Sequence, residues 1–95
     1  MHLILDLRDV NYQKSGNVNQ IRDLVSKLVD EINMKAILPL QLIKYCGKNP
    51  LDWGVTCSGI IAESNITIHT FPEHRLVNVD IFSCKNFNEI KAIEI

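Results

Sequence analysis

Much is missing from this chain of 95 residues, and each absence narrows what it can be. Its three cysteines, Cys46, Cys57 and Cys84, are odd in number and widely spaced, with no C-x-x-C pair and no histidine at ligand spacing. A disulfide framework and a bound metal are therefore not expected. No apolar run reaches the roughly 18 to 20 residues that span a bilayer. Met1-His2-Leu3 enters a patterned segment without a basic n-region or a small-residue cleavage site, so the expected location is cytoplasmic. Charge of neither sign dominates: 10 Lys and Arg against 11 Asp and Glu leave a net charge of -1, scattered along the chain. That balance argues against a nucleic-acid or membrane-surface partner.

Repeats, linkers and low-complexity stretches are also lacking, and the length fits one domain spanning 1–95. A domain this small has a modest core, which favours an oligomer. What is present is patterned. Leu3–Leu7 reads as a first strand, and a turn follows at Gln13-Lys14-Ser15-Gly16. From Asn17 to Met34 apolar residues recur at Val18, Ile21, Leu24, Val25, Leu28, Val29 and Ile32, steps of three and four that place one stripe on a helix. Asn17 is its expected N-cap. Ala36–Tyr45 is apolar but contains Pro39, which fits an edge strand or one that begins after the proline.

Gly54–Ala62, Asn65–Phe71 and Val77–Cys84 read as three further strands, with a turn at 71–75 between the last two, and 86–95 could hold a short helix. The expected fold class is α+β, a two-layer α/β sandwich in which a helix packs on one face of a mainly antiparallel sheet. If the last two strands form a hairpin centred near Glu73 and His74, Phe71 pairs with Leu76, His69 with Asn78, Thr67 with Asp80, Asn65 with Phe82 and Glu63 with Cys84. Cys84 then lies beside the Glu63-Ser64 bond. Alternation puts Ile66, Ile68, Val77, Val79 and Ile81 toward the helix and leaves an opposite face with Thr67, His69, Asn78, Asp80 and Cys84.

A Glu-Ser bond at the head of a strand is a candidate for self-cleavage, and Ser64, His69 and Cys84 are expected to converge there. Singly, each has an ordinary explanation. A strand-end cysteine usually packs, a strand histidine is usually a satisfied surface group, and Trp53 reads as a core or lid aromatic. Together, Glu63-Ser64, the run Thr67-Ile68-His69-Thr70-Phe71-Pro72-Glu73 and the strand Val79-Asp80-Ile81-Phe82-Ser83-Cys84 resemble the processing and active-site core of the prokaryotic S-adenosylmethionine decarboxylases. The similarity is strong from Gly54 to Cys84 and looser elsewhere.

The resemblance implies that Ser64 attacks the preceding carbonyl, that the chain splits into 1–63 and 64–95, and that a pyruvoyl group forms from Ser64. A serine oxygen needs its proton handled and the carbonyl polarised, and His69 and Thr56 match the assisting residues. The pyruvoyl carbonyl would capture the substrate amine as a Schiff base and act as an electron sink, and Cys84 would return a proton. Asp80, on the same face, is either a tuner of that thiol or a solvated carboxylate. Phe71 and Glu73 match substrate-binding positions, with Glu73 expected at the ribose hydroxyls.

Three positions depart from the family's habit: Phe71 stands where Trp is usual, Asn65 where His is usual, and Thr56 where Ser is usual. Typical members also continue further beyond the cysteine. The implied function is decarboxylation of S-adenosylmethionine for spermidine synthesis by a homodimer. The alternatives are a pyruvoyl-dependent ornithine or arginine decarboxylase, and a non-processing homologue with a binding or regulatory role.

Overall fold

Strand β1 (His2–Arg8) opens the chain in a computed structural model that describes residues 1–31, 37, 39–62 and 64–84. Where a plain turn was expected, Asn11 caps a single helical turn, α1 (Tyr12–Ser15), by accepting the Lys14 N–H at 2.8 Å. Asn17 does cap α2 (Val18–Glu31), its side-chain oxygen accepting from the Gln20 N–H at 3.1 Å. The expected last turn of that helix, 32–34, lies outside the described residues, as does the helix expected over 86–95.

Strand β2 (Gln41–Cys46) begins after Pro39 and forms one edge of the sheet, where a missing ladder donor does least harm. Strands β3 (Trp53–Ile61), β4 (Ser64–Phe71) and β5 (Leu76–Ser83) complete a five-stranded sheet in the order β1-β5-β4-β3-β2. Every neighbouring pair is antiparallel. A 3₁₀ turn at Pro72–His74 joins β4 to β5, and Arg75 leaves it in the left-handed region at φ 51°. That conformation is unfavourable for a residue with a Cβ. Three bonds hold it: Arg75 N–H to the Pro72 carbonyl at 3.0 Å, Arg75 Nε–H to the Val10 carbonyl at 3.0 Å, and Val10 N–H to the Arg75 carbonyl at 3.2 Å.

The turn sets the hairpin register, and the pairs are those the alternation implied: Phe71 with Leu76, His69 with Asn78, Thr67 with Asp80 and Asn65 with Phe82. One face carries Val55, Cys57, Ile66, Ile68, Val77, Val79 and Ile81 against Ile21, Val25, Leu28 and Val29 of α2. This is the two-layer α+β sandwich. The opposite face departs from its reading as polar, because β1, β2 and β3 add Ile4, Ile43 and Ile60 beside the hairpin's own Phe71 and Phe82. Ile4 is 64% exposed and Ile43 63%, and Ile60, Phe71 and Phe82 are exposed with them.

Candidate active site

Ser64 is the first residue of β4, so it sits where the chain emerges from the β3–β4 connection, paired with Ile61 on one side and Ser83 on the other. It is half-buried, and its hydroxyl donates to the Ala62 carbonyl at 3.2 Å. Cys84 follows Ser83 directly and is exposed. Serine and thiol therefore lie at the same end of neighbouring central strands, as the register implied. Glu63 lies outside the described residues.

His69 does not join them. Five residues separate it from Ser64 along β4, roughly 16 Å at the rise of an extended strand, and the odd offset puts the two side chains on opposite faces. The expected convergence of Ser64, His69 and Cys84 on one spot thus fails within a single chain. His69 instead faces its cross-strand partner Thr56, with Oγ1 and Nδ1 3.0 Å apart. Asp80 also stands away from the thiol: it pairs with His2 at 2.8 Å, and four strand positions, about 13 Å, separate it from Cys84. It is not a tuner of that thiol in this chain.

Phe71 borders a hollow of about 430 Å³ that Tyr45, Asp52, Trp53, Thr56 and His69 also line. Gly54 in its wall is required by close approach, since a Cβ there would strike the Thr70 carbonyl, and the Thr70 hydroxyl takes the Val55 N–H at 2.8 Å. Three aromatic side chains and a histidine–threonine pair share one cavity. It suits a flat, partly cationic ligand.

Glu73 sits outside that hollow, on the 3₁₀ turn. Its Oε1 accepts from the Trp53 indole N–H at 3.1 Å and from the Tyr12 hydroxyl at 2.9 Å. These two bonds, the indole first, hold the Glu73 carboxyl below the usual carboxylate range, while the same carboxylate pushes the Tyr12 hydroxyl above the usual tyrosine value. The Trp53 ring is held from two further sides, by the edge of Tyr12 at 6.0 Å between centroids and by the Lys44 ammonium 4.9 Å from its centre. Tyr12 carried no signal in the sequence, since it lies 61 residues from Glu73 and just before the segment read as a turn. Burial raises the Cys57 thiol, a core group on the helix face. Among the described residues no cluster of three His, Cys, Asp or Glu side chains forms a metal site.

The chain is thus a small α+β sandwich with a serine and a thiol at one end of its central strands and an aromatic hollow at the other. A solved structure of similar fold, the adenosylmethionine decarboxylase from Aquifex aeolicus, superposes with a TM-score of 0.74 at 29% identity, covering 98% of this chain and 72% of that one. The family model described as S-adenosylmethionine decarboxylase matches residues 1–95. Among curated relatives, the S-adenosylmethionine decarboxylase proenzyme of Archaeoglobus fulgidus is 33% identical over 90 residues, 95% of this chain and 75% of the relative. That of Aquifex aeolicus is 36% identical over 84 residues, which is 88% of this chain and 58% of the relative. The chain belongs to the S-adenosylmethionine decarboxylase family.

Proposed function

We propose that this chain is a cytoplasmic S-adenosylmethionine decarboxylase that cuts itself between Glu63 and Ser64 and works as a homodimer, supplying aminopropyl donors for spermidine synthesis. The observation that supports this reading is the position of Ser64 as the first residue of β4, paired with Ser83, so that Ser64 and Cys84 lie at the same end of adjacent strands. The residues suit a pyruvoyl group derived from Ser64: a half-buried hydroxyl begins a strand, its oxygen turned toward the preceding connection, with a thiol one residue beyond its cross-strand partner. Once formed, that group supplies an electron sink for loss of carbon dioxide. Cys84 then holds the proton that the substrate carbon needs, and Phe71, Tyr45 and Trp53, which share the His69 end, would exclude water around a nucleoside bound at the partner's Ser64. Glu73 accepts the ribose hydroxyls.

The separation of Ser64 from Thr56 and His69 supports the dimer. Side chains about 16 Å apart on one strand cannot assist each other's chemistry, which needs contact within hydrogen-bond reach. Two protomers joined along their open faces and running in opposite directions would bring the His69 end of one to the Ser64 end of the other, where Ser64, as the first residue of β4, lies at the rim of the sheet. The exposed Ile4, Ile43, Ile60 and Phe82 on that face supply the apolar surface such an isologous interface buries. His69 and Thr56 would then serve the partner's Ser64.

Intact mass and a denaturing gel test the cleavage. A cut before Ser64 leaves pieces of 63 and 32 residues, 95 minus 63, with the smaller one blocked at its N-terminus. Release of labelled carbon dioxide is expected from S-adenosylmethionine and not from ornithine or arginine. A single full-length mass after prolonged incubation would overturn the proposal, and release from an amino acid alone would move the substrate.

A further inference from the structure

The corner formed by Tyr12, Trp53 and Glu73 ties three separate parts of the chain together. Both donors land on Oε1 of Glu73, and among the described residues no donor reaches Oε2. An ionised carboxylate with one oxygen occupied and fixed has a preoriented second acceptor. Trp53 has two functions here, since its ring lines the hollow while its N–H holds the carboxylate outside it. A single hydrogen bond of 3.1 Å therefore sets the spacing between an aromatic wall and an anionic acceptor. Gly16 makes room for the arrangement, because a Cβ there would come within 2.5 Å of the Trp53 Cη2.

We infer that Tyr12 and Trp53 are positioning residues for Glu73, locking its carboxylate so that Oε2 accepts the vicinal hydroxyls of a ribose while the Trp53 ring borders the attached base. This rests on the reading of Glu73 as a ribose acceptor. A vicinal diol suits this acceptor because it can donate two O–H groups to the two lone pairs of one oxygen. Tyr12 is 43% exposed and its hydroxyl bonds to Glu73, so losing that hydroxyl removes a restraint and leaves the core intact.

Equilibrium binding of adenosine and of 2′,3′-dideoxyadenosine to the purified chain separates the possibilities. The unmodified protein is expected to prefer the nucleoside with the diol. Tyr12→Phe is expected to weaken adenosine binding by about three- to tenfold, the net size of one ordinary hydrogen bond, while leaving dideoxyadenosine binding unchanged. Trp53→Phe, which keeps a ring and loses the N–H, should reduce the preference further, and Glu73→Gln should abolish it. A general loss of structure would weaken both nucleosides equally and would overturn the positioning role. If Glu73→Gln removes the preference while Tyr12→Phe and Trp53→Phe retain it in full, the positioning role fails and the ribose reading stands. Equal binding of the two nucleosides by the unmodified protein would overturn the ribose reading itself.

Discussion

Pairing two inactive chains provides the most direct test of a site shared between protomers. Ser64→Ala lacks the nucleophile and His69→Ala lacks the assisting group, so neither is expected to cleave well alone. Loss of a group that handles a proton typically costs about 10²- to 10⁴-fold in rate. If His69 acts across the interface, a mixed dimer has one site with both groups missing and one site with both present. With random pairing of a symmetric dimer, about half of the His69→Ala chains find a Ser64→Ala partner, and those are expected to cleave at an unimpaired rate. If His69 acts within its own chain, neither chain in the mixture has both groups and no band appears. Co-expression followed by a denaturing gel and intact mass gives the fraction cut. The geometry leaves little between these outcomes: at about 3.3 Å per residue, five positions of β4 separate the two residues by several times a hydrogen-bond length. Uncut chains in the mixture, with normal cleavage of the unmodified protein, would refute the shared site.

Cys84→Ala is expected to leave self-cleavage intact and to abolish most carbon dioxide release; full turnover would place the proton donor elsewhere. Ile66 is fully buried between the sheet and α2, so Ile66→Ala should cost about 2–5 kcal/mol in chemical denaturation, and a loss below about 1 kcal/mol would show that the site collapses without a cavity. Trp53 is the only tryptophan, so its emission reports on the corner with Glu73. Hydrogen bonds from Trp53 and Tyr12, with the nearby His74, lower the folded-state value of the Glu73 carboxyl. Its contribution is thus fully present above the ordinary carboxylate value, about 4.3, and is lost as pH falls through the lower folded value. The acid transition of Trp53 emission is expected below that ordinary value and should move upward in Tyr12→Phe; an unmoved transition would show that Tyr12 does not hold the carboxylate.

The β4–β5 register was legible because both determinants lie in a short stretch of sequence. Period-two alternation from Asn65 to Phe71 and from Val77 to Ile81 names the faces, and the turn at 72–75 aligns them. The α2 stripe was legible for the same reason. Beyond such local signals less could be read. That β1 lies against β5, and that Ile4 therefore sits beside Asp80, depends on contacts between the two ends of the chain. The same distance in sequence concealed the bond from Tyr12 to Glu73. The separation of Ser64 from His69 is a different case, since strand rise and parity predict it from numbering alone.

The sheet order has a consequence for the cut chain. Segment 1–63 would supply β1, β3 and β2, and segment 64–95 would supply β5 and β4, which lie between β1 and β3. The shorter piece is therefore hydrogen-bonded on both sides by the longer one, and its Ile66, Ile68, Val77, Val79 and Ile81 are inside the common core. Scission would sever one connection between adjacent strands and leave every ladder in place. The two products would behave as a knotless clasp: they should travel together through any native separation and part only when the whole domain unfolds.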